Sequence, residues 1–153
     1  MSQHLIQARI AAVVGSVVAA MPFVLFIRHD LVESKPYKIM ASPLQEELVF
    51  AATWLPLVVI GIAICTGLAA FRRHPLIAPL LAVVLTFFAS VGSVMFLTHR
   101  YGQDIPSSGD FGTRAVVEDF AGQLCRATIL SLLLVLIIAP FIRAIRRTTR
   151  QVT

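Results

Sequence analysis

The sequence predicts an all-α integral membrane protein with four transmembrane helices, arranged as two hairpins with long outer loops. The 153 residues are 58% hydrophobic and 14% charged, with a mean hydropathy of +0.85, whereas soluble domains have about 45–50% apolar and about 25% charged residues. The apolar residues form continuous runs and do not alternate with polar ones, which favours helices over a β-barrel. We therefore expect residues 1–153 to form one transmembrane domain.

Four apolar runs have the length of a membrane span, for which a helix needs about 20 residues. They cover 10–27, 48–71, 76–97 and 120–142. The first run also has features of a cleaved signal peptide, with a basic start at Arg9 and small residues at 18–20. Because the apolar run continues to Ile27, a true span is favoured.

The charged residues predict how the spans are oriented. Seven basic residues and no acidic ones fall on one side: Arg9, Arg72, Arg73, Arg143, Arg146, Arg147 and Arg150. The other side, with the start of span four, holds the remaining six basic residues and all eight acidic ones. Seven against six is a small difference, but the seven lie in short segments. The positive-inside rule thus predicts a multi-pass protein of the bacterial inner (plasma) membrane, with both termini in the cytoplasm.

The basic tail 143–150 predicts contact with lipid. It is expected to continue span four into the headgroups, where each basic residue attracts anionic lipid by about 1 kcal/mol. The excess of apolar residues argues against nucleic-acid binding, despite a formal charge of +5.

Small residues on three spans predict close helix packing, because they let membrane helices approach one another. These residues are Ala11, Ala12, Gly15, Ser16, Ala19 and Ala20 in span one, Ala63 and Gly67 in span two, and Thr86, Ala89, Ser90, Gly92 and Ser93 in span three. The short turn 72–75 also predicts that spans two and three are antiparallel neighbours.

Arg126 is an unusual residue because it lies inside an apolar run. Asp119, Gln123 and Arg126 share one helical face at i, i+4 and i+7. One interpretation is that Arg126 extends its guanidinium towards the outer headgroups. The other is a buried polar cluster with the outer end of span two (Glu46, Glu47 and Thr53) that locks the bundle or meets a ligand.

Polar residues at the outer ends of the spans are the candidates for binding a partner or ligand. The predicted set is Glu46, Glu47, Glu118, Asp119, Gln123 and Arg126. His29 and His99 end spans one and three and are weak candidates for a metal or a haem. They lack a close ligand spacing and lie at the interface, so no metal site and no cofactor is predicted.

No catalytic residue is predicted. Cys65 is expected in the inner half of span two and Cys125 near the outer end of span four, farther apart than the about 7 Å that a disulfide allows between Cα atoms. With no Cys-x-x-Cys motif, this argues against a thiol oxidase and favours buried structural thiols. Phosphate-binding glycine loops and serine-nucleophile motifs are also absent from the sequence.

The favoured function is that of a non-enzymatic inner-membrane protein that binds a membrane partner or a second copy of itself. It would be an accessory subunit of a membrane complex or an immunity protein against a membrane-active toxin. As an alternative, Gln45-Glu46-Glu47 followed by Trp54 is similar to the small four-span subunit of substrate-binding-protein-dependent secondary transporters. A second alternative is a haem- or metal-binding redox protein that uses His29 and His99.

Overall fold

The described residues form four α-helices and contain no strand. A computed structural model describes the backbone of residues 3–33, 43–70, 76–101 and 113–151, while several side chains near helix ends, among them those of 43–53, 113–119 and 146–151, lie outside the described part. The helices are α1 (Gln3–Glu33), α2 (Pro43–Ala70), α3 (Ile77–Tyr101) and α4 (Thr113–Gln151). The prediction of an all-helical chain with four helices is thereby confirmed.

Two of these helices are long and apolar enough to cross a membrane. Their apolar segments are Ile6–Phe26 in α1 and Phe120–Ile145 in α4. The described apolar segments of α2 and α3 are shorter, Trp54–Ala70 and Ile77–Ser93. Helices α1 and α4 extend beyond both ends of the apolar runs that predicted them, whereas α2 extends only at its N-terminal end and α3 only at its C-terminal end.

Helix α1 is the central helix of the bundle. It packs against α2, α3 and α4, while α3 also contacts α2 and α4. The face of α1 that makes these contacts is made of small residues and one aromatic residue: Ala12, Gly15, Ser16, Ala19, Ala20 and Phe23 are all buried. Small side chains let three neighbours approach one helix, so the small-residue pattern of span one predicted this packing correctly.

The contact between α1 and α4 fixes which ends of these helices meet. A Cβ built on Gly15 would lie 3.2 Å from Ile142 Cδ1 and 3.3 Å from Ile138 Cγ2. The first half of α1 therefore lies beside the last third of α4.

Most of the buried hydroxyl groups are satisfied within their own helices. Ser16 Oγ donates a hydrogen bond to the Ala12 carbonyl oxygen at 2.8 Å, and Ser90 Oγ donates to the Thr86 carbonyl at 2.7 Å. A bond to the carbonyl four residues earlier lets a hydroxyl lie in an apolar interior without a partner on another helix.

Two expectations about single side chains are wrong. Cys65 and Cys125 are exposed, free thiols and not buried ones, because each lies on the side of its helix turned away from the bundle. Gly92, expected on the packing face of α3, is exposed as well. Thr86 and Ser90 of the same predicted face are buried, so the face is narrower than the sequence indicated.

Candidate functional site

Helix α4 has two opposite faces of different character. Leu124, Ala127, Ser131 and Ile142 are buried against the bundle. The exposed side of α4 includes one row of residues that we call the exposed face: Gly122, Arg126, Ile129, Leu133, Leu136 and Pro140. These residues follow one another in steps of three or four, so they form a single row along the helix. The exposed face is the candidate surface for a partner.

Arg126 is the charged residue of this row. Its side chain is exposed, and the row continues towards the C-terminus with Ile129, which is 59% exposed. The structure therefore turns Arg126 away from the bundle, which disagrees with burial in an interior polar cluster. The guanidinium instead lies on the same surface as a continuous apolar row.

A glycine lies one helical turn before Arg126. Gly122 is exposed, and a Cβ built on it would meet nothing within 4 Å. Packing inside the described bundle would therefore allow a side chain at this position. The absent side chain leaves the backbone of α4 accessible next to the guanidinium.

Two polar atoms of α4 are buried without a hydrogen-bond partner among the described residues: Gln123 Oε1 and Ser131 Oγ. Gln123 is partly buried at the edge of the exposed face, and Ser131 is fully buried on the opposite side. Sequence reasoning identified Gln123 but missed Ser131. The available signal was the spacing of Gln123, Ala127 and Ser131 at i, i+4 and i+8, a row that leads from the edge of the exposed face to the buried side of α4.

The predicted acidic residues lie within helices, but their side chains lie outside the described part of the chain. Glu46 and Glu47 belong to α2, and Glu118 and Asp119 belong to α4. Their role in binding stays a prediction. Thr53, assigned to the same polar cluster, is also helical with an undescribed side chain.

The two histidines considered as ligands are exposed near the C-terminal ends of their helices, His29 on α1 and His99 on α3. The described side chains contain no group of three or more His, Cys, Asp or Glu residues that could hold a metal ion.

The chain was also compared with known proteins. No protein-family model matches it, and neither the curated proteins nor the solved structures gave a match.

Proposed function

We propose that this chain is a four-span protein of the bacterial inner membrane, with both termini in the cytoplasm. The length of the helices supports four crossings. The shortest, α3, has 25 residues and rises about 37 Å at 1.5 Å per residue. A hydrocarbon core of about 30 Å is therefore within the reach of every helix.

The exposed surface also supports insertion. Large apolar side chains point outwards from three helices, with exposed fractions of 63% for Leu25, 64% for Phe88 and 70% for Leu136. Soluble monomers rarely expose apolar patches larger than a few hundred Å². Lipid satisfies these side chains without a further protein layer. The seven arginines in the short segments then orient the bundle, because basic residues stay in the cytoplasm.

Within this membrane protein, we assign binding of a membrane partner to the N-terminal part of the exposed face of α4, Gly122, Arg126 and Ile129. The observation that carries the proposal is the exposed guanidinium of Arg126 within an apolar segment. A charged side chain that faces lipid is unfavourable, so such residues usually face protein or a polar cavity. A partner that covers this surface would remove the guanidinium from lipid.

The local chemistry indicates what kind of partner fits. A guanidinium is best satisfied by a carboxylate or by amide oxygens, and the bare backbone at Gly122 lets another helix approach closely. We therefore expect a transmembrane helix that carries an acidic or amide side chain at the depth of Arg126. Such a partner is compatible with an accessory subunit of a membrane complex and with an immunity protein that recognises a toxin in the bilayer. A toxin encoded beside this protein would favour the second.

Three variants of the tagged full-length protein test this surface after purification in mild detergent. Arg126→Leu removes the charge, and Gly122→Leu blocks close approach. Gly92→Leu is the matched control, since Gly92 is also exposed with nothing within 4 Å of an added Cβ but lies on α3. All three replace an exposed residue, so the fold of the bundle should persist.

The expected result is a stoichiometric membrane partner that copurifies with the parent protein and with Gly92→Leu. Both α4 variants should lose most of it. If both Arg126→Leu and Gly122→Leu retained the partner, this surface would not be part of the interface. Purification of the parent protein without a partner, but with a bound haem or metal, would overturn the proposal in favour of a redox protein.

A further inference from the structure

Four arginines at the C-terminal end of α4 share one side of the helix. Arg143, Arg146, Arg147 and Arg150 stand at i, i+3, i+4 and i+7, and the helix continues without a break to Gln151. Residues with this spacing lie on the same face. We call these four positions the arginine stripe.

The arginine stripe continues the exposed face of α4. From Leu133 the row runs through Leu136 and Pro140, which are exposed, and then reaches Arg143 and Arg147 by further steps of three and four. The first side chain of the stripe, that of Arg143, is exposed as well. One face of a single helix therefore changes from apolar to basic where the apolar segment ends.

The packing of α1 adds to the positive charge at this end of the bundle. Gly15 of α1 lies against Ile142 of α4, with 3.2 Å from its built Cβ to Ile142 Cδ1. Arg9 precedes Gly15 by six residues of α1, a rise of about 9 Å, and in the proposed topology, with both termini in the cytoplasm, this rise leads to the same end. Residues 120–153 contain no aspartate or glutamate.

We infer that the C-terminal part of the exposed face of α4, Leu133, Leu136 and Pro140 with the arginine stripe, binds an anionic phospholipid of the cytoplasmic leaflet. The phosphate of the headgroup lies among the arginines, and the acyl chains lie along the apolar residues. An anionic lipid has the same order of charged and apolar parts as this row, which a soluble acidic protein lacks. The inference rests on the proposed insertion of α4 into the membrane.

The test measures lipid binding to the purified full-length protein by native mass spectrometry. Phosphatidylglycerol and phosphatidylcholine with identical acyl chains are the probes, and the ratio of their adducts is the readout. Arg143→Gln with Arg147→Gln removes two charges from the stripe. Arg147→Thr with Thr148→Arg moves one arginine to the opposite side of the helix at constant net charge. Arg28→Gln with Arg100→Gln removes two charges from the other end of the bundle.

The parent protein should prefer phosphatidylglycerol. Each arginine beside an anionic surface contributes about a factor of five, so the double glutamine variant should lose about thirtyfold of the preference. The rearranged variant should lose about fivefold, and the control at the other end should keep the parent's ratio. If the rearranged variant kept the parent's lipid preference, the lipid would respond to net positive charge and not to its position. That result would contradict binding at the arginine stripe. An unchanged ratio of the two lipid adducts in the double glutamine variant would also contradict binding at the arginine stripe.

Flotation of each variant with liposomes separates the two proposals. A parent protein that fails to float would refute membrane insertion itself. A protein that floats and shows no lipid preference would refute the lipid site and leave the membrane proposal standing.

Discussion

Gly67 of α2 lies directly against the backbone of Val13 in α1. A Cβ built on Gly67 would approach Val13 Cα to 2.7 Å and the Ala12 carbonyl oxygen to 3.1 Å. Both atoms belong to the main chain of α1, so no rotation of a side chain could relieve the overlap. This is a close backbone approach of two helices, and it depends on the missing side chain of Gly67.

Gly67→Ala is therefore expected to destabilise the bundle by about 1–3 kcal/mol, the usual effect of overpacking. Gly61→Ala is the control in the same helix, because a Cβ at Gly61 meets nothing within 4 Å. It adds helix propensity without a clash and should leave the free energy of unfolding unchanged or raise it by up to about 1 kcal/mol. Unfolding of both variants in detergent, followed by circular dichroism, gives the comparison. Equal stability of the two would show that α1 and α2 do not touch at Gly67.

Gly15→Ala is expected to have a smaller effect than Gly67→Ala. The atoms that its methyl group would meet are the ends of two side chains, Ile142 Cδ1 at 3.2 Å and Ile138 Cγ2 at 3.3 Å, which can move by rotation. Ile142→Ala removes the nearer atom and should offset part of the loss. A double-mutant cycle measured by the same unfolding assay should give a coupling of at least about 0.5 kcal/mol. A coupling of zero would contradict the packing of α1 on α4.

Ser131→Ala tests the buried hydroxyl that has no hydrogen-bond partner in the described structure. Removing an unsatisfied buried polar atom relieves its desolvation penalty, so we expect stability to stay constant or rise by about 1 kcal/mol. Ser16→Ala is the matched control, because Ser16 Oγ donates to the Ala12 carbonyl at 2.8 Å. It should lose about 0.5–1.5 kcal/mol, the usual net contribution of an intramolecular hydrogen bond. Clear destabilisation by Ser131→Ala would mean that the Ser131 hydroxyl makes a stabilising hydrogen bond.

Leu133→Arg tests whether the exposed face of α4 meets lipid. Leu133 is 49% exposed near the middle of the apolar segment Phe120–Ile145. An arginine at the centre of a membrane helix opposes insertion by about 2.5–3.5 kcal/mol, so the yield in the membrane fraction should fall sharply. Ile145→Arg makes the same change at the end of that segment, beside Arg143, and should be tolerated. Equal membrane yields of the two variants would indicate that Leu133 faces water.

Part of the candidate site could be predicted from the sequence. The spacing of Asp119, Gln123 and Arg126 placed them on one side of span four, and α4 is helical through all three positions. The sequence did not predict whether that side of α4 faces the bundle or the surface. Helix phase gives relative positions on one helix, whereas burial depends on which neighbours the helix packs against.

The sequence by itself determined the number of helices, their type and the small-residue face of α1, because long apolar runs and the spacing of small residues are local properties. Only the tertiary structure decided that α1 is the central helix, that Arg126 and both cysteines face outwards, and that Ser131 is buried with no hydrogen-bond partner among the described residues. The physical reason is that each helix can rotate about its own axis without changing its sequence pattern. Close contacts such as that between Gly67 and Val13 select one rotation, and that rotation determines which residues remain on the surface of the bundle.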